Sequence, residues 1–268
     1  MRTPGQALTL FVTTLLTAAT ASAEQYPLRA KYPNVQPIST EELAHAMAGA
    51  AVVDVRSDFE FGVMHIDGAI HVDVSEKDFV QKLTAAVGGR GKDLVTYCNG
   101  TTCEKSYEAA LAAQDAGFKH VRVYDAGILE WARMARGRTL LFGKPVKPEQ
   151  IIPESRFQSH LVDAAAFEKG AAAPSTLLLD IRDARQRERT AEFARKAEWI
   201  TVDKLVAQLA TPAFQAKSRG KTLWIFDNVG KQVRWLQYAL EANGYSSYFF
   251  LKDGMTAFVA GHPGCCEP

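Results

Sequence analysis

The sequence is poor in cysteine, in surplus charge and in long apolar runs, and each shortage removes a class of protein. Four cysteines in 268 residues are too few for a disulfide-dense mini-scaffold. His and Cys nowhere cluster at ligand spacing, so neither a metal nor another cofactor is implied. Lys plus Arg number 31 against 30 Asp plus Glu, and the resulting net charge of +1 leaves no electrostatic footprint for nucleic acid or an anionic membrane. What is present is ordinary core-forming material: 47% of residues are apolar and 23% charged, which excludes disorder and collagen-like repeats. A length of 268 residues suits two α/β domains better than one.

The N-terminus reads as a targeting segment. Arg2 precedes an apolar run from Leu8 to Ala19, and the small residues Ala21-Ser22-Ala23 follow it. The run is shorter than the ~20 residues that span a bilayer, and the pattern is that of a signal peptide over residues 1–23. The expectation is cleavage after Ala23 and export to a periplasm or beyond. No Cys follows to carry a lipid, and no later stretch is apolar enough to form a membrane span.

The remaining chain is organised as two similar halves. A Pro-punctuated arm over 24–37 (Pro27, Pro33, Pro37) is expected to lack regular structure. A first domain over 38–143 opens on the capping box Ser39-Thr-Glu-Glu42, which starts a short helix. Ala51 to Val55, Asp93 to Tyr97 and His120 to Tyr124 read as buried strands, with helices from Ser106 to Ala116 and around Trp131. A Pro-marked linker over 144–158 leads to a second domain over 159–268 that repeats the order. There Leu177 to Arg182, Leu223 to Asp227 and Tyr248 to Gly254 echo the first set. The spacings agree: Asp54 precedes Cys98 by 44 positions and Asp180 precedes Asp227 by 47. The fold class is therefore α/β, an internal duplication in which each half is a parallel sheet flanked by helices.

Chemistry concentrates at Cys98. It ends a strand and enters the tight loop Cys98-Asn99-Gly100-Thr101-Thr102-Cys103 ahead of a helix. Successive backbone N–H groups and a helix N-terminus favour a thiolate, a persulfide or an oxyanion at such a place. Gly100 relaxes the backbone, and the Thr101 and Thr102 hydroxyls can add donors.

The motifs around this loop resemble those of the rhodanese family. Asp54-Val-Arg-Ser-Asp-Phe-Glu-Phe-Gly-Val-Met-His-Ile-Asp-Gly-Ala-Ile70 is similar to its entry motif, with Met64 where Gly is usual. Val95-Thr-Tyr-Cys98 and the loop resemble its active-site segment. Val121-Arg-Val-Tyr-Asp-Ala-Gly-Ile-Leu-Glu-Trp131 resembles its closing motif. The resemblance covers most of residues 38–137 and weakly extends to the second half through Asp180-Ile-Arg182 and Asp253-Gly254. It implies an exported tandem-domain sulfurtransferase in which Cys98 accepts a sulfane sulfur from a small donor and passes it to a thiophilic acceptor, a protein thiol included. Asn99, Gly100, Thr101, Thr102 and Cys103 would hold the substrate. Asp54, Arg56, Glu60 and His65 are expected to form a buried charge network that fixes the loop.

Departures from the family pattern shape that expectation. The active Cys of well-known tandem members lies in the second domain, whereas here Asp227 stands at the second loop head. A carboxylate cannot carry sulfane sulfur and would itself fill the anion cradle, so the second domain is expected to be inactive. Glu60 stands where mercaptopyruvate-type relatives present an Arg, which favours thiosulfate or a persulfide as donor. Cys103 replaces an Arg common in the loop, and its resolving or redox role and a packing role stay open. If it reaches Cys98 or its persulfide, attack would close a disulfide and release sulfide. Cys265 and Cys266 end the chain in a tail where a disulfide is possible, and the four Trp are expected in the core or at a domain interface. A non-catalytic binding or redox-sensing module is the alternative function. Phosphatase or arsenate reductase chemistry lacks its loop-ending Arg.

Overall fold

The computed structural model describes residues 25–134, 138–187 and 191–262. The expected signal peptide and Cys265 and Cys266 lie outside the described residues. The chain divides into two compact units that part between Pro148 and Glu149. No helix among the described residues is long and apolar enough to cross a membrane.

The first unit runs through β1 (Gln36–Pro37), α1 (Thr40–Ala46), β2 (Ala51–Asp54), α2 (Asp58–Val63), β3 (Met64–Ile66), β4 (Ile70–His71), α3 (Phe79–Val87), β5 (Leu94–Tyr97), α4 (Lys105–Asp115), β6 (Val121–Tyr124), α5 (Gly127–Met134), β7 (Thr139–Leu141) and β8 (Lys144–Pro145). Its main sheet is parallel, in the order β1-β6-β5-β2-β4. Every residue of β2 and β5 is buried, as expected of central parallel strands covered on both faces. Both α1 and α2 start in full capping boxes, Ser39 with Glu42 and Ser57 with Glu60.

Two expectations are corrected here. The arm is not irregular: Pro27–Arg29 forms a 3-10 turn and Gln36–Pro37 is the sheet's edge strand beside β6. Pro37 is tolerated because an edge strand needs no donor on its outer side, and the next residue closes the ladder, Ile38 N donating to Val123 O at 2.9 Å. The segment read as a linker is also partly structured. β8 continues a small antiparallel sheet, β3-β7-β8, and a helix occupies Glu154–Ser159.

The second unit contains that helix, α6 (Glu154–Ser159), followed by β9 (Leu161–Val162), α7 (Ala164–Ala171), β10 (Thr176–Asp180), β11 (Glu198–Trp199), α8 (Val202–Gln208), α9 (Pro212–Ser218), β12 (Thr222–Phe226), α10 (Gln232–Ala242), β13 (Tyr248–Leu251) and α11 (Gly254–Gly261). Its parallel sheet has the order β11-β10-β12-β13-β9. Taken from the β9 edge, the succession is first, last, fourth, second and third strand, the same as in the first unit. Its core is aromatic, with Phe167, Phe226 and Phe258 packed beside Leu251 and Met255. Trp131 and Trp235 are buried, whereas Trp199 is 47% exposed. Trp199 is thus no core residue; its Nε1 donates to Arg182 O at 2.8 Å, and the Arg187 guanidinium lies over its ring.

Candidate active site

Cys98 follows the last residue of β5, where the chain leaves the buried sheet and loops into α4. Its side chain is 1% exposed, and Cys103 is half-buried. The Cys98 sulfur lies 3.2 Å from Cys103 O and 3.2 Å from Ser106 Oγ. Cys103 thus lies beside Cys98, its backbone carbonyl accepting from the Cys98 thiol. Asn99 and Gly100 are half-buried, Thr101 is half-buried and Thr102 is exposed. The loop is closed by Cys103 N donating to Gly100 O at 2.9 Å and is tied to α5 by Ile128 N donating to Cys98 O at 3.1 Å.

A buried charge network holds the loop from beneath. Arg56 grips Asp54 through Nε and Nη2 at 2.9 and 2.6 Å, and both side chains are fully buried. Its Nη1 donates to Asn99 Oδ1 at 3.2 Å, and Asn99 Nδ2 donates to Glu60 Oε1 at 2.7 Å. The other Glu60 oxygen accepts from Ser57, so one carboxylate both caps α2 and anchors the loop. Asp54, Arg56 and Glu60 therefore meet as the sequence led us to expect, with Asn99 as the link. His65 is outside the network: it bonds Phe61 O and stacks on the Phe61 ring. The imidazole at Arg56 is His71, 2.8 Å from its carbonyl. The motif spacing points to His65, but the turn after β3 brings His71 back to the strand end instead.

Ser106 and the arm are contributors that sequence reasoning missed. Ser106 is buried in the first turn of α4, where its side chain faces the strand-end sulfur. The arm straps the far side: Arg29 forms a bidentate pair with Asp125 at 2.8 and 3.1 Å, and Tyr32 donates to Glu104 at 2.7 Å. Glu104 is the residue after Cys103.

The electrostatics distinguish the two thiols. Burial, together with the hydrogen bond to Cys103, pushes the Cys98 thiol well up, while Ser106 pulls it down. Cys103 is the acidic thiol. Donation from Cys98 and from the backbone N–H groups of Asn99 and Lys105 brings it down to about 6 against the opposing effect of burial. Cys103 is therefore the more acidic of the two thiols. Thiolate absorbance should titrate near pH 6, the thiolate being present above that value, and Cys103→Ser should abolish this step. Cys98→Ser should leave it in place, shifted if the serine hydroxyl donates more or less well. Labelling by an alkylating agent at neutral pH that begins at Cys98 would contradict this assignment.

In the second unit, the equivalent loop head carries its own anion. Gly230, Gln232 and Val233 donate backbone N–H groups to the Asp227 carboxylate at 2.5, 2.7 and 3.3 Å. Burial raises the Asp227 pKa while these donors oppose the rise. Arg182 holds Asp180 through Nε and Nη2, both at 2.9 Å, as Arg56 holds Asp54. No group of three or more potential metal ligands occurs among the described residues.

Residues 39–134 match the Rhodanese-like domain family. Among curated proteins, 80 residues are 39% identical to an HTH-type transcriptional regulator of Mycobacterium tuberculosis, covering 30% of this chain and 33% of that protein. Another 36% identity over 93 residues relates it to a tRNA uridine(34) hydroxylase of Pectobacterium carotovorum, covering 33% of this chain and 25% of the relative. The chain thus spans about a third or less of the length of these relatives. Among solved structures, a thiosulfate sulfurtransferase from Pseudomonas aeruginosa aligns over 87% of this chain and 43% of its own, at 18% identity and a TM-score of 0.39.

Proposed function

We propose that the protein is a sulfurtransferase that takes a sulfane sulfur from thiosulfate or a persulfide donor, carries it on Cys98, and delivers it to a thiophilic acceptor. The observation that carries this reading is Cys98 in a rhodanese-like loop anchored by Arg56, Asn99 and Glu60, with Cys103 beside it across the loop. The Cys98 sulfur attacks the outer sulfur of thiosulfate as its proton passes to Cys103. The S–S bond of the donor breaks, sulfite leaves with the bonding pair, and Cys98 holds a persulfide. A protein thiol is a possible acceptor on this reading, which involves no nucleic acid and no added cofactor. Export to a periplasm and a second rhodanese-like domain made inactive by Asp227 belong to the same proposal.

The test is thiocyanate formation from thiosulfate and cyanide. Wild-type protein should form it, Asp227→Asn should form it equally well, and Cys98→Ser should form none. The Cys98–Cys103 contact also favours a second reading, a non-catalytic redox-sensing module. Absence of thiocyanate from the wild type, with no sulfur loaded on Cys98 and no sulfide released, would select that alternative.

A further inference from the structure

The two loop sulfurs differ in depth. Cys98 is 1% exposed, whereas Cys103 is half-buried, and the Cys98 sulfur lies 3.2 Å from the Cys103 carbonyl oxygen. A terminal sulfur atom on a small donor can reach a sulfur that deep, but a bulky acceptor thiol meets Cys103 first. The backbone donors of Asn99 and Lys105 also hold Cys103 ready as a nucleophile. Whatever sulfur Cys98 receives therefore has its nearest acceptor inside the loop.

Building on the proposed sulfur loading of Cys98, we infer that Cys103 is a second catalytic residue, which resolves the Cys98 persulfide and makes the protein a sulfide-releasing thiosulfate reductase driven by an external dithiol. The Cys103 sulfur attacks the inner sulfur of the persulfide. A Cys98–Cys103 bond forms, the bond to the outer sulfur breaks, and that sulfur leaves with the electron pair as hydrosulfide, taking the proton that Cys103 had received. In this step the Cys103 sulfur is oxidised by one electron and the outer sulfur is reduced by one; over loading and resolution together both cysteine sulfurs are oxidised by one electron. The half-buried Cys103 sulfur is then open to attack by a dithiol, which becomes a disulfide and restores both thiols. In net terms, thiosulfate and a dithiol yield sulfite, sulfide and a disulfide.

Both cysteines fall in one tryptic peptide, Asp93 to Lys105, which separates them from Cys265 and Cys266. Reduced full-length protein, freed of reductant, is mixed with thiosulfate and quenched with an alkylating agent. The wild-type peptide should lose two hydrogens and resist alkylation, with one equivalent of sulfide released and no thiol added. Cys103→Ala and Cys103→Ser should instead keep a persulfide on Cys98 and release no sulfide. A wild-type persulfide as persistent as that of the variants, without sulfide, overturns the inference and leaves sulfur loading standing. Absence of sulfur on Cys98 in every protein, with no sulfide, overturns both.

Discussion

Replacing Asp54 by Asn should destabilise the first unit by about 3–5 kcal/mol, because it strips the compensating charge from a guanidinium that has no water to turn to. The pair is fully buried and bidentate. Against a typical domain stability of about 5–15 kcal/mol, such a loss is a large fraction of the total. The effect should reach the loop, because Arg56 also holds Asn99, and Asn99 holds Glu60. Urea unfolding gives the measurement, and thiocyanate formation should fall with it. Removing both charges, as Asp54→Asn with Arg56→Met, should recover part of the stability, since the largest penalty belongs to the unpaired charge. A loss below about 1 kcal/mol, the range of surface ion pairs, would show that the network does not hold the loop.

Gly127→Ala should reduce sulfur loading about 10²-fold, the scale expected when a reacting group is displaced by an ångström. Gly127 has φ +73°, and a Cβ there would lie 2.3 Å from Gly100 N and 2.5 Å from the Asn99 carbonyl carbon. Those contacts are backbone, so the Cys98 loop must move to admit one methyl group. Gly254, at φ +68°, packs in the same way on the second loop, with Asn228 C and Val229 N both at 2.6 Å. Gly254→Ala is therefore the matched control: it should lower stability and leave loading intact. Equal loading by Gly127→Ala and wild type would mean that the close packing of the two loops is not what positions Cys98.

How much of this was legible in sequence depended on how local the cause is. The central strands declare themselves because Ala51 to Asp54 and Leu94 to Tyr97 are buried on both faces and read as continuous apolar runs. Ser39 and Glu42 mark a helix start because capping is a contact over three residues. The two-residue strands Ile70–His71, Leu161–Val162 and Glu198–Trp199 have no period to detect and exist only through their neighbours. At the site, Cys98, Asp54, Arg56, Glu60 and the Asp227 cradle were legible from motif spacing. The roles of Ser106 and His71 were not, because each is decided by where a turn returns the chain. A strand-end loop predicts an anion cradle but not how two neighbouring thiols divide the proton between them.

The arm that straps the site has a consequence for the order in which the chain is completed. Arg29 and its partner Asp125 are 96 residues apart, and among the described residues β1 pairs only with β6. During synthesis, the early-emerging edge strand has no ladder to join until almost the whole first unit has been made. Loop-closure entropy must then be met across that full span. Until the arm docks, β6 presents an open edge, the kind of surface that recruits a second chain. The stretch between emergence and docking is therefore the vulnerable interval in the biogenesis of this protein, and the arm is what ends it.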